Sequence, residues 1–332
     1  MLGIELTPEE PVPDLVEYAT TAADSGFDTV FCSHHYNNRD EFTALGAIAN
    51  ATDELRLGPG ITNPYETHPA SLASRMATLD ELADGRGIFG VGAGDRSTLK
   101  NLGFDHDNAL RRVLETLRVS RQLWDGDRVN HDGTFTAADA GLNYTPSEIP
   151  VYVGAQGPHM TRMAAKYADG VLFNGSHPRD IEWAADRIEE GRSKRTEETA
   201  GGPDRVSEFD FAAYASVSVA ADAGAAREAA RPPTAFIAAG APPPVLARHN
   251  IDKERAGKIQ EAISSGEFTT AFETVSDQML NAFCIAGGPE TVASRLDELL
   301  ETADSVVIGS PVGPDIGEAL SVMDVESLSC SG

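Results

Sequence analysis

One carboxylic acid stands inside an apolar run at the start of the chain, in Leu2-Gly3-Ile4-Glu5-Leu6. A carboxyl turned into such surroundings is costly to hold as an anion, and the chemistry it suits is proton donation; the alternative is an acid salt-bridged at a rim. A second acid, Asp95, follows two glycines in Gly92-Ala93-Gly94-Asp95. It suits either catalysis beside Glu5 or the purely structural role of a helix N-cap. The run Ser33-His34-His35-Tyr36-Asn37-Asn38 offers paired imidazoles. Adjacent side chains point to different sides and no third ligand stands out, so no metal centre is expected and one of the two histidines is expected in a cofactor pocket. Two further segments combine glycine with polar groups: Gly60-Ile61-Thr62-Asn63, and Val153-Gly154-Ala155-Gln156-Gly157-Pro158. The second runs straight from an apolar stretch into a helical pattern, where unpaired NH groups could receive a phosphate; a tight turn without a ligand is the alternative. No GxGxxG follows the first strand, which argues against a classical dinucleotide-binding dehydrogenase.

These residues need elements to bring them together. Strand patterns lie over 2–6, 28–32, 55–61, 87–91, 150–153, 170–173, 211–219 and 305–308. Helical patterns lie over 14–25, 42–51, 69–83, 108–124, 158–167, 178–192 and 290–301. The alternation predicts an α/β fold, a (β/α)8 TIM barrel. One domain is expected over 1–325, with insertions at 126–148 (polar and turn-rich) and 231–283 (a helical excursion), and a flexible tail at 326–332. In such a barrel the chemistry gathers at the C-terminal ends of the strands. All the segments above follow strands, as does Asn174 in Phe173-Asn174-Gly175-Ser176.

Charge narrows the partners. The chain carries 52 acidic and 26 basic residues, a net −26; only five bases are lysines, Lys100, Lys166, Lys194, Lys253 and Lys258. That field repels polyanions, so neither nucleic acid nor an anionic membrane is an expected partner. An acidic, lysine-poor surface fits a high-salt cytoplasm and a halophilic source. Cys32, Cys284 and Cys330 are far apart and match no zinc or redox spacing, which points to a reducing compartment. With no basic leader and no long apolar run, a cytoplasmic protein is expected.

Taken together, the stretches GIELTPEEP, HYNN, LRLGPGITNPY, HPASLASRMATLDELADGR, GVGAGD, IPVYVGAQGP, AFIAAGAPPPV and GSPVGP resemble the coenzyme F420-dependent methylenetetrahydromethanopterin reductases. These belong to the bacterial-luciferase-like superfamily, and the likeness runs from residue 2 to about residue 320. TLDELADGR marks the superfamily broadly; GIEL, TNPY and AAGAPPP are closer to the reductases. The resemblance implies coenzyme F420 as a dissociable cosubstrate and a tetrahydropterin, methanopterin- or folate-type, as substrate. It also implies a homo-oligomer, dimer or tetramer, and no metal. It places Glu5 and Asp95 in catalysis, and the coenzyme on His35, Gly60, Ile61, Thr62, Asn63, Gly154, Ala155, Gln156, Gly157 and Asn174. A non-prolyl cis peptide behind the deazaflavin would be Gly60–Ile61, and the phosphate would sit on the loop after the fifth barrel strand. One departure is His34-His35 where the family has Asp-His. Two alternatives remain: another F420- or FMN-dependent oxidoreductase or monooxygenase of the superfamily, and a non-catalytic flavin-binding barrel.

Overall fold

The computed structural model describes residues 1–323; the expected tail at 326–332, with Cys330, lies outside them. The fold class is the expected one, a parallel (β/α)8 barrel in which strands and helices alternate. The chain divides into two compact units, one of Met1–Phe173 with Ala184–Ala212, the other of Asn174–Trp183 with the chain from Ala213 onward.

The first unit contains β1 (Leu2–Glu5), β2 (Thr29–Cys32), β3 (Arg56–Pro59), β4 (Phe89–Val91), β5 (Val129–Asp132), β6 (Thr136–Ala140), β7 (Val151–Ala155) and nearly all of β8 (Gly170–Asn174). β1, β2 and β3 pair in parallel, as do β4, β7 and β8. Bridges at Leu57–Gly87 and Thr62–Val91 join β3 to β4. These strands are mostly apolar because both faces are covered, and β2 is buried at every residue. The TLDELADGR block is structural. The buried Asp80 carboxylate accepts the Gly87 amide at 2.9 Å and the Ser147 hydroxyl. Arg86 donates to the carbonyls of Ala83 (2.7 Å), Leu55 (2.6 Å) and Ala49 (3.1 Å). Together they lock helix Pro69–Leu82 against the strand beginnings, away from the ends that carry chemistry.

The insertion at 126–148, expected as turns, contains the antiparallel hairpin β5–β6. Its side chains are mostly exposed, so no apolar alternation announces it. Glu115, on helix Ala109–Trp124, holds the hairpin: its Oε2 accepts the Thr134 amide and hydroxyl, both at 2.7 Å, and faces His131 Nε2 at 3.1 Å. Burial alone would raise this carboxyl, but the Thr134, Arg111 and His131 donors outweigh it and bring its pKa down to about 2.

In the second unit, β9 (Asp210–Val219), which starts in the first, pairs in parallel with β10 (Ile285–Gly287), and β11 (Ser305–Val312) lies beside β9. The three-residue β10 is too short to register as a pattern and was not expected. The insertion at 231–283 is helical as expected, with five helices around a core that includes Leu246, Ile259, Met279 and Phe283. Buried Asp180 pins it by accepting from Arg248 and facing His249 Nε2 at 2.8 Å. Beside them, burial and the neighbouring His249 bring His177 down to about 4. Among the described residues no helix is long and apolar enough to cross a membrane.

Candidate functional site

Glu5 ends β1 with its side chain buried, as the apolar run around it requires. The Thr7 hydroxyl donates to its Oε1 at 2.6 Å, which fixes the carboxyl's orientation. In the parallel register Glu5 lies opposite Phe31, and the Leu6 amide bonds to the Phe31 carbonyl at 2.8 Å. The next residue, Cys32, is fully buried; desolvation first, then the fields of Glu5 and Glu41, push its thiol far above the ordinary range. The thiol is therefore no nucleophile, and its value here is as a marker that two buried carboxyl groups flank the end of β2.

Glu41 comes from the first turn of helix Glu41–Ala51 and is 1% exposed. His34 bridges it to a third acid: Nδ1 lies 2.8 Å from Glu41 Oε2, and Nε2 lies 3.1 Å from Glu66 Oε1. Each acid holds one residue of the loop after β3. The Thr62 hydroxyl donates to Glu41 Oε1 at 3.0 Å, and Asn63 Nδ2 donates to Glu66 Oε1 at 2.9 Å. Asn63 Oδ1 in turn accepts the Tyr65 and Glu66 amides. Thr62 and Asn63, expected as coenzyme contacts, thus turn their side chains inward onto protein partners and are 2% and 3% exposed. They shape the loop, whose backbone is tied into the sheet at Thr62.

The Gly60–Ile61 peptide is cis, as the family resemblance implied. The Ile61 side chain spreads over the glycines of two neighbouring strand ends: a Cβ at Gly92 would fall 2.5 Å from Ile61 Cδ1, and one at Gly154 would fall 3.0 Å from Ile61 Cγ2. Glycine at 154 is therefore explained by packing as well as by any ligand. Gly157 differs. It caps helix Pro158–Tyr167 without a side-chain cap, is exposed, and a Cβ there would meet nothing within 4 Å. An anion has both room and an uncapped helix N-terminus at this place. Gln156 beside it is exposed, whereas Ala155 is buried.

Asp95 sits as the N-cap of helix Arg96–Asn101, a helix the polar sequence did not announce. Its carboxylate accepts the Ser97 amide at 3.0 Å and the Thr98 amide at 2.8 Å, together with the Ser97 hydroxyl. Burial opposes ionisation, but these donors and the nearby His35 hold its pKa below the usual carboxylate value. The capping reading, left open from sequence, is the one the geometry satisfies. Gly94 packs on Asn63, a Cβ there lying 3.0 Å from Asn63 Cβ, so the β3 and β4 ends meet.

The first unit therefore joins the ends of β1, β2, β3, β4 and β7, carrying Glu5, His34, His35, Gly60–Asn63, Asp95 and Gly154–Gly157. Asn174 ends β8, exposed, and belongs to the second unit. Sequence reasoning missed Glu41 and Glu66, and also Arg112. The Arg112 guanidinium lies 4.6 Å from the Tyr65 ring centre and donates to the Pro64 carbonyl at 3.0 Å, anchoring the TNPY turn. His106 stacks on the same ring, at 5.6 Å. No group of acids, histidines and cysteines suited to a metal ion occurs among the described residues.

Comparisons with known proteins bear on the family and the fold. The family model of luciferase-like monooxygenases matches residues 2–305. The 5,10-methylenetetrahydromethanopterin reductase of Archaeoglobus fulgidus is 40% identical over 98% of this chain and 97% of its own length. That of Methanolobus tindarius is 38% identical over 98% of each. The structure of the coenzyme F420-dependent tetrahydromethanopterin reductase of Methanopyrus kandleri superposes with a TM-score of 0.88, at 38% identity, over 97% of this chain and 96% of that one. A fold that binds its chemistry at strand ends, a buried acid at the first of them, and full-length likeness at this level together assign the family: the chain belongs to the 5,10-methylenetetrahydromethanopterin reductases of the luciferase-like family.

Proposed function

We propose that the protein reduces 5,10-methylenetetrahydromethanopterin to the 5-methyl form, with reduced coenzyme F420 as the dissociable hydride donor. The observation that carries the reading is the Glu5 carboxyl, buried at the end of β1 and oriented by Thr7, in a chain alignable end to end with reductases of that name. The residues present fit the coenzyme. The Gly60–Asn63 backbone offers a rigid wall, and the exposed N-cap at Gly157 leaves space for an anionic group. When bound, coenzyme F420 supplies a hydride from C5 of its reduced ring.

The substrate holds its methylene carbon between two nitrogens of a five-membered ring. Opening that ring needs a proton on the leaving nitrogen, and Glu5, buried at the strand end and oriented by Thr7, is the proposed donor. The iminium so formed on the pterin is already electrophilic, so no metal is needed. Ile61 and the inward-bonded Thr62 and Asn63 hold the stacking wall still, and fixed geometry of this kind contributes several kcal/mol to a bimolecular step. Asp95, His35 and Asn174 are proposed contacts, Asp95 as a fixed negative charge. The same reading carries a cytoplasmic homo-oligomer, dimer or tetramer, whose size sedimentation will give.

Fluorescence titration tests the reading directly. The deazaflavin should bind at low-micromolar concentration or below and FMN more weakly, and turnover should require the reduced deazaflavin. Tighter binding of FMN, or turnover with NADH alone, overturns it.

A further inference from the structure

Two buried or half-buried carboxylates, Glu41 and Glu66, approach one imidazole from opposite edges, 2.8 Å from Nδ1 and 3.1 Å from Nε2. Only the imidazolium can donate to both, since a neutral ring has one N–H and would turn a bare nitrogen lone pair toward one acid. The other oxygens of this network lead into the loop after β3: Glu41 Oε1 to the Thr62 hydroxyl, and Glu66 Oε1, which faces His34, also to Asn63 Nδ2. Thr62 is in turn a backbone link in the sheet, its amide donating to the Gly90 carbonyl and its carbonyl accepting from the Gly92 amide, each at 3.0 Å. The chain of contacts therefore runs from His34 through two acids to the peptide that abuts Ile61.

We propose that His34 is a positioning residue, whose doubly donating imidazolium clamps Glu41 and Glu66 and so holds Thr62 and Asn63, and with them the coenzyme wall, in binding geometry. The inference rests on the reading of Gly60–Asn63 as the coenzyme seat and deepens it. The observed partners of His34 are Glu41 and Glu66, so in this reading it acts through the loop. Burial opposes its charge, but the bonds and fields of Glu41 and Glu66 outweigh burial and raise its proton affinity above the ordinary value of 6.5. The groups facing this cluster are Glu41 on its helix, Glu66 on the loop, and the Cys32 thiol and Glu5 carboxyl on β2 and β1. His35 and Asp95 form a separate pair. With a raised folded value, the clamp is complete below pH 6.5 and is lost as pH rises through that value.

Amide hydrogen exchange at Thr62 and Gly92, corrected for intrinsic base catalysis, reads the clamp without any ligand, and deazaflavin titration reads its consequence. Between about pH 6 and about pH 9 the wild-type protein should show one step in which both amides speed up and affinity falls, each by about tenfold, the scale of a lost charged hydrogen bond. His34→Gln donates from one nitrogen only and presents an oxygen to the other acid, so its amides should be fast and its binding weak at every pH. Glu66→Gln keeps the imidazole but removes one acid, so the step should move to lower pH. Exchange at the β7–β8 amides serves as the control for global folding; should His34→Gln fail to fold, the wild-type step and its displacement in Glu66→Gln still decide. Absence of the step in wild type, or identical Thr62 and Gly92 exchange in a folded His34→Gln protein, overturns the proposal. A step in exchange with no deazaflavin binding at any pH leaves the clamp standing and overturns the coenzyme reading.

Discussion

Ile61 lies so close over Gly92 that a Cβ added there would come 2.5 Å from Ile61 Cδ1, well inside contact distance. The side chain beside the cis peptide is thus held by the absence of a side chain on the next strand end. Gly92→Ala should cost about 1–3 kcal/mol, as overpacking does, and weaken coenzyme binding by displacing Ile61. Ile61→Val removes the offending methyl and should recover much of that cost in the double variant. Urea unfolding of the four proteins checks this; additivity within about 0.5 kcal/mol would mean the two sites do not press on each other.

Glu5→Gln keeps the size of the side chain and the Thr7 hydrogen bond but removes the transferable proton. Turnover should fall by about 10²-fold or more, the usual scale for a general acid, with the deazaflavin dissociation constant nearly unchanged. Steady-state kinetics beside a binding titration separates the two quantities. A folded variant with wild-type turnover would remove Glu5 from catalysis.

Glu115 offers a prediction about acid. Its folded pKa of about 2 lies below the ordinary 4.5, so its contribution to stability is present above pH 4.5 and is lost as pH falls toward 2. Glu115→Gln should cost roughly 1–3 kcal/mol at neutral pH through the weakened bonds to Thr134, and flatten the acid limb of the stability curve. Thermal melts from pH 7 down to about pH 3 show it, given that buffers there span the range in which native carboxylates protonate. Equal acid sensitivity in the two proteins would refute the assignment.

The net charge of −26 predicts a response to salt. Like charges repel at low ionic strength and are screened within about 3 Å at about 1 M, so molar KCl should raise the unfolding midpoint. A midpoint that stays level or falls between about 0.1 and about 2 M KCl would speak against a surface adapted to high salt.

Much of this protein is written locally. Helical and strand periods are properties of neighbouring residues, so the alternation that makes the barrel could be followed along the chain, as could Glu5, an acid in an apolar run whose burial leaves few roles besides chemistry. Local patterns also explain what escaped notice. The β5–β6 hairpin has no buried face to impose alternation, and β10 is only three residues long. Asp95 showed both its possible roles in sequence, and the Ser97 and Thr98 amides at its carboxylate establish the cap.

The partners of His34 belong to another level. Glu41 looks like an ordinary acid in the first turn of a helix, where the helix dipole favours it, and Glu66 looks like a solvated loop residue. Nothing in their spacing from His34, seven and thirty-two positions away, connects the three. The parallel register of β1, β2 and β3 brings helix Glu41–Ala51 and the loop after β3 to the same strand end, and only there do the imidazole and the two carboxyl groups become one largely enclosed, hydrogen-bonded cluster. Composition and periodicity determined which residues go inside and in what elements. Which polar groups satisfy one another once inside was decided by the tertiary structure, because a hydrogen bond depends on distances of a few ångströms between residues that the sequence keeps apart.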